Sequence, residues 1–198
     1  AILRLSSLEI QNTLVTGNGG AFVVHGKLEM DSVVIQNAHA GRAGGAFFVG
    51  LGGDVTLRTG LGLTEIRDCT AALYGGAAAV SGIGSQLRLF GDEDELGAWK
   101  DVVIKSNMAA LGGGIAITAN GKLEHRGLYL DSNVARVTGG GMYIANGSVK
   151  GKPTKTSKKY RGQIKSKLYM NKVEQLKVTG TLSENLVLHD GKTLSKKD

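Results

Sequence analysis

Asn37-Ala38-His39-Ala40-Gly41-Arg42-Ala43-Gly44-Gly45-Ala46-Phe47-Phe48-Val49 is the stretch whose reading decides the fold. It returns in altered form along the chain. A Gly-Gly pair followed by Ala or Gly opens at Gly19, Gly44, Gly75, Gly112 and Gly139. A short polar residue stands upstream each time: Asn12, Asn37, Asp68, Asn107 and Asn133. A self-similar period of roughly 25 to 40 residues implies a stacked repeat architecture.

The segments around the glycines carry strand periodicity. A first stretch reads Leu8-Glu9-Ile10, Val33-Val34-Ile35, Thr64-Glu65-Ile66, Val102-Val103-Ile104 and Leu128-Tyr129-Leu130. A second follows the glycines, as Phe22-Val23-Val24, Phe47-Phe48-Val49, Ala78-Ala79-Val80, Ile115-Ala116-Ile117 and Met142-Tyr143-Ile144. A third reads Leu28-Glu29-Met30, Val55-Thr56-Leu57, Leu87-Arg88-Leu89 and Leu123-Glu124-His125, with a start at Val149. Alternation sends the outer two residues of each triplet to one face. The expected inward ladders are Leu8, Val33, Thr64, Val102, Leu128 and Ile10, Ile35, Ile66, Ile104, Leu130. Each buried aliphatic side chain contributes roughly 1.5–3 kcal/mol, so stacked coils support a core without disulfides.

Spacing separates the corners. From first stretch to glycines the interval is 11, 11, 11, 10 and 11 residues, whereas from third stretch to the next first stretch it is 5, 9, 15 and 5. One corner takes the insertions. The expected fold is all-β: a right-handed parallel β-helix of three short strands per coil and about five to six coils. The loops at 58–62, 90–101 and 150–167 should leave from one corner, and loops on one side of a repeat array often form its binding face. Asn at a bend tolerates the left-handed backbone, and Gly takes positive φ without steric cost. Asn12, Asn37, Asn107 and Asn133, with Gly19, Gly44, Gly75, Gly112 and Gly139, are therefore read as structural turns.

The pieces Val34-Ile35-Gln36-Asn37 with Gly44-Gly45-Ala46-Phe47, and Asp131-Ser132-Asn133 with Gly139-Gly140-Gly141-Met142, resemble the polymorphic outer membrane protein repeat. The resemblance covers about three quarters of the chain. It implies a right-handed, pectin-lyase-like β-helix, a cell-surface or secreted setting, and adhesion as the usual role. Leu, Val or Ile stands where that repeat usually has Phe ahead of its Asn. An organelle or large-complex setting is the alternative.

Composition bounds the rest. Only one Pro and no Gly-X-Y period accompany the 31 glycines, which excludes collagen. A lone cysteine, Cys69, forms no internal disulfide and reads as a buried small residue. No apolar run approaches the ~18 residues of a membrane span. Ala1 is not an initiator methionine; the expectation is a chain processed or cut from something longer. Ile2-Leu3-Arg4-Leu5 stands on a third stretch, so the N-terminal coil is expected to be open and covered by further chain or by a protein partner.

The net charge of +7 is unevenly spread. Residues 1–149 hold 11 Lys/Arg against 13 Asp/Glu, and residues 150–198 hold 13 against 4. The division expected is β-helix coils over 1–149, a basic insertion over 150–167, and a degenerate last coil or β extension over 168–198. The basic segment, with Lys158, Lys159, Tyr160 and Arg161, suits an acidic partner or an anionic surface. Its poor aromatic interleaving makes nucleic acid the weakest option. The longest insertion within the clear repeats carries Asp92, Glu93, Asp94 and Glu95 beside Trp99. It reads as a solvated loop or, since Trp is a common interface anchor, a contact surface.

Chemistry is sparse. Gly191-Lys192-Thr193 lacks the upstream glycine of a phosphate loop, because Leu186 stands there. His25, His39, His125 and His189 have no metal-ligand spacing. No Ser/His/Asp set is placed by the pattern. Asn146-Gly147-Ser148 is a sequon of a kind common by chance. The first expectation is a non-enzymatic structural or interaction module without cofactor or metal. The alternatives are an accessory subunit docked through its basic segment, and a carbohydrate-active β-helix enzyme.

Overall fold

The computed structural model describes residues 1–60, 62–93, 99–152 and 177–178, with backbone alone at Trp99, Lys152, Lys177 and Val178. The fold is an all-β solenoid of about five parallel stacked coils, with no helix among the described residues. β1 (Ile2–Val15) and β3 (Lys27–Ala40) each run through the third stretch, the first stretch and a further short one. In later coils these separate. The third ladder continues as β5 (Asp54–Arg58), β9 (Gln86–Phe90), β15 (Lys122–Arg126) and β19 (Ser148–Lys152). The first continues as β6 (Glu65–Arg67), β12 (Val102–Lys105) and β16 (Leu128–Asp131). The second is β2 (Phe22–Val24), β4 (Phe47–Val49), β8 (Ala78–Ser81), β14 (Ile115–Thr118) and β18 (Met142–Ala145).

The structure adds a fourth short ladder to the three expected. The ends of β1 and β3 align with β7 (Thr70–Ala71), which is followed by β13 (Met108–Leu111) and β17 (Val134–Thr138). It lies between the first ladder and the glycines.

Register places the core as alternation requires. Ile10, Ile35, Ile66, Ile104 and Leu130 are successive partners. Neighbouring coils in such a ladder lie about 4.8 Å apart. Ile35, Ile66, Ile104, Leu57 and Leu89 are all fully buried. Phe22 and Phe47 stack with centroids 5.3 Å apart inside the first two coils. Cys69 is buried, and burial raises its thiol pKa to about 11.

The corner after the first ladder corrects the turn assignment. Positive φ falls at Asn12, Asn37, Asp68, Ser106 and Ser132. Asn107 and Asn133 sit one residue later, buried, and their amides serve the interior instead. Asn107 Oδ1 accepts from Cys69 N (2.9 Å), and Asn133 Oδ1 accepts from Asn107 N (3.0 Å). Asn107 Nδ2 donates to Ile66 O (3.1 Å) and Asn133 Nδ2 to Ile104 O (2.9 Å). The two side chains satisfy buried backbone groups at the bend, where an apolar residue would leave them unpaired.

The glycine pairs divide two tasks. Gly19, Gly44, Gly75, Gly112 and Gly139 hold positive φ. The second glycine answers to stacking: a Cβ at Gly76 would lie 2.1 Å from Gly113 O and 2.5 Å from Met108 N.

The insertions at 58–62 and 90–101 leave from the same corner, between third and first ladders. Ser32 Oγ donates to Thr59 O (2.9 Å), Gly62 N donates to Ser32 Oγ (3.1 Å), and Thr59 N donates to Phe90 O (3.2 Å). β10 (Asp92–Glu93) and β11 (Trp99–Lys100) form a small antiparallel pair, with Glu93 opposite Trp99. Asp94 and Glu95 lie outside the described residues, as do Lys158, Lys159, Tyr160, Arg161 and the stretch 153–176. Of the proposed last coil, β20 (Lys177–Val178) is described, parallel to β19 at Ser148 and Val149.

Candidate interaction face

Each coil has two halves with different outward chemistry. The third and first ladders carry the charged half. Arg4, Glu29, Thr56, Arg88, Glu124 and Lys150 are successive partners on the outward row of the third ladder. Opposite charges in neighbouring coils pair, as cross-strand neighbours should. Arg4 Nε meets Glu29 Oε2 at 2.8 Å and Lys27 Nζ meets Glu29 Oε1 at 2.9 Å. Lys27 first, then Arg4, holds the Glu29 carboxyl below its ordinary pKa. Arg88 pairs with Asp54 and approaches Glu124 at 3.8 Å.

The first ladder repeats this self-pairing. Its outward row is Glu9, Val34, Glu65, Val103, Tyr129, so carboxylates alternate with apolar side chains. Gln36 Nε2 donates to Glu9 Oε1 (2.6 Å) and to Gln11 Oε1 (3.1 Å). Glu65 is only 7% exposed, and its Oε1 is ion-paired with Arg67 Nε at 3.1 Å and Lys105 Nζ at 2.9 Å. A half-open groove of about 290 Å³ lies on the charged half, between Arg4, Glu29, Asp31, Thr56 and Arg58. Its charges have partners too: Arg58 lies over the Phe90 ring at 5.1 Å, and Ser32 Oγ donates to Asp31.

The half containing the glycines is built differently. Residues 13–26, 38–53, 69–85, 107–121 and 133–147 contain no Asp, Glu or Lys; Arg42 and Arg136 are their only arginines. The outward row of the second ladder is Val23, Phe48, Ala79, Ala116, Tyr143, apolar in all five coils. Parallel strands that are apolar on both faces belong to sheets covered on both faces. Val23 is 52% exposed, while Ala79 and Ala116 are buried, at 3% and 1% exposed. Leu14, Met108, Val134, Leu73 and Val137 add exposed apolar surface on the neighbouring fourth ladder and glycine arm. On the fourth ladder His39 and Thr70, hydrogen-bonded to each other at 2.7 Å, stand between Leu14 and Met108, so the exposed apolar side chains form two groups around them.

A half-open groove of about 270 Å³ opens within this half. Phe48, Leu73 and Tyr74 wall it, and Ala79 lies beneath. Asn18, Arg42, Ser81 and Thr118 bring polar groups to it. The Tyr74 ring lies 6.4 Å from that of Tyr143, tilted by 31°. Arg136 Nη2 donates to Ala72 O (2.8 Å). The Arg42 guanidinium is exposed and has no side-chain partner among the described residues.

Of the interaction residues expected from sequence, Asp92 and Glu93 lie on the insertion corner, exposed, at a distance along the coil from this groove. Phe48, Tyr74, Arg42 and Tyr143 were not singled out as a face. Their signal was present: the second stretches are apolar without alternation, and the segments around them lack acids. Among the described residues no group of three or more His, Cys, Asp or Glu is placed to hold a metal ion, and no helix is long and apolar enough to cross a membrane. Comparison with known protein families, with curated proteins and with solved structures finds no match to this chain.

Proposed function

We propose that this chain is a non-enzymatic interaction module that binds a protein partner across its acid-free half. The observation that carries the reading is the outward second-ladder row, apolar in all five coils beside a groove walled by Phe48 and Tyr74. The charged half supports it by contrast, since Arg4, Lys27, Arg67, Arg88 and Lys105 are each ion-paired there to a carboxylate of the same chain. The spacing of Glu9 and Glu65, with Val34 between them, favours binding over paired-carboxylate chemistry. The likeness to the polymorphic outer membrane protein repeat supports a cell-surface or secreted setting, with adhesion as the use of this face. A subunit of a larger assembly would use the same face for docking.

Site-specific photo-cross-linking tests the reading. A photoreactive residue is placed at Val23 or Leu73 on the acid-free half, and at Glu9 or Lys122, both exposed on the charged half, in the native source. Cross-links confined to Val23 and Leu73 are expected. Cross-links confined to Glu9 and Lys122 would overturn the assignment.

A further inference from the structure

We infer that the partner anchors itself with a carboxylate side chain flanked by large apolar residues, seated between Arg42, Phe48 and Tyr74. This rests on the docking face proposed above and adds the chemistry of what it takes.

The charge argument comes first. Among the described arginines, Arg4, Arg67 and Arg88 are ion-paired, Arg58 lies over Phe90, Arg126 is engaged, and Arg136 donates to Ala72 O. Arg42 alone keeps its guanidinium free, at the rim of an apolar groove. A guanidinium presents a planar fork of donors that matches a carboxylate with two parallel hydrogen bonds. Apolar walls strengthen that pair by excluding water. Among the described residues, no acid stands in this half to compete for it.

One cation also selects among anions. A phosphorylated side chain carries close to two charges and is met by clusters of arginines. This groove offers a single guanidinium, with no lysine among the described residues of this half. A single carboxylate matches it.

The remaining groups describe the rest of the ligand. Phe48, Leu73 and Tyr74 wall a space suited to a large apolar side chain, and Ala79 keeps its floor low. Asn18, Ser81 and Thr118 supply hydrogen-bonding groups for a backbone passing across it. The apolar row continues from Val23 to Tyr143, four coil steps of about 4.8 Å each. A strip that long exceeds a small ligand and fits a polypeptide. A buried anchor in a pocket, ringed by flatter apolar contact, is the usual arrangement of a protein–protein hot spot.

The test titrates the isotope-labelled full chain, by nuclear magnetic resonance, with the capped peptide acetyl-Tyr-Glu-Phe-amide. Matched peptides replace Glu by Gln, Lys or phosphoserine. The Glu peptide should shift the amides of Arg42, Phe48, Tyr74 and Ala79, and the Gln peptide should bind at least about tenfold more weakly. Arg42→Glu should abolish binding of the Glu peptide and admit the Lys peptide. Lys122→Glu, the same charge change on the other half, should leave binding intact, and circular dichroism of both variants should match the parent. Equal binding of Glu and Gln peptides at these amides overturns the carboxylate anchor while leaving the docking face in place. Tighter binding of the phosphoserine peptide overturns the choice of anion. No shift in the groove with millimolar peptide, alongside cross-links from Val23 and Leu73, overturns the groove as the anchor point. Loss of both signals overturns the docking face itself.

Discussion

The two halves of each coil solve the same backbone problem with opposite surfaces. In the charged half, a row such as Arg4, Glu29, Thr56, Arg88, Glu124 places ions at coil spacing, and neighbouring coils neutralise one another. In the acid-free half, the row Val23, Phe48, Ala79, Ala116, Tyr143 leaves apolar surface and one free guanidinium outside. Exposed ion pairs contribute little stability, about 0–1 kcal/mol each, but they keep a surface wet and unsticky. The difference is therefore one of use more than of stability. One half is finished as a solvent face, and the other is the proposed docking face.

Both halves share a core, so the largest effect should come from breaking what joins them. Ile66 is fully buried between Ile35 and Ile104. Ile66→Asp buries a charge without a partner and should prevent folding. Circular dichroism and thermal melting check this; a folded variant with unchanged melting would mean the ladder register is wrong.

The glycines sharpen the comparison next. Gly76→Ala sets a Cβ against Gly113 O and Met108 N, both backbone atoms that cannot move without opening the coils. A loss of about 3 kcal/mol or more is expected in denaturant unfolding. Gly26→Ala, where nothing lies within 4 Å, should be nearly neutral. Similar losses at both positions would show that stacking does not explain the glycine pair.

A smaller effect belongs to the bend between the halves. Asn133→Ala removes the acceptor for Asn107 N and the donor to Ile104 O. Leaving buried backbone groups unpaired costs about 1–3 kcal/mol, so unfolding should shift by about 2 kcal/mol. Asn12→Ala, at an exposed turn, should cost less than that.

The smallest effect is graded by pH. His125 occupies the ladder position of Leu57 and Leu89, against Gly151, where a Cβ would lie 2.2 Å from its Nε2. Its Nδ1 is buried and has no hydrogen-bond partner among the described residues, and burial lowers its pKa from 6.5 to about 4. The folded chain therefore holds this ring neutral where the unfolded chain protonates it. The stability contributed is complete above about pH 6.5 and is lost as pH falls toward 4, at a slope near 1 kcal/mol per pH unit. His125→Leu should flatten that part of the pH profile, measured by unfolding at several pH values.

Much of the fold was legible because period and alternation are properties of sequence. Ile10, Ile35, Ile66, Ile104 and Leu130 could be aligned without coordinates, and the insertion corner followed from interval lengths. The fourth ladder was hidden because Thr70-Ala71 is too short to alternate, and because small residues such as Ala40, Ala71 and Ala109 pack there without a hydrophobic signature. Asn107 and Asn133 misled because Asn suits both a left-handed turn and a buried amide. Counting four residues on from the first-ladder position lands on Asn12, Asn37, Asp68, Ser106 and Ser132, which is where the positive φ occurs. The face was missed for a different reason. Inward positions set the fold and drew the reading, whereas the proposed contact surface lies on the outward middle residues of the second stretches. Arg42 could not be distinguished from other arginines by sequence, since what marks it is that no described side chain pairs with its guanidinium.

Hydroxyl-radical footprinting puts the contrast between the halves to its most direct test. Oxidation is compared between the isolated chain and the chain in its native source. The expected result is strong protection of Tyr74, Met108 and Tyr143 in the native setting, with Phe90 and Tyr129 on the charged half unchanged. Protection of Phe90 and Tyr129 with Tyr74 and Tyr143 still fully reactive would contradict the claim that the acid-free half is the docking face.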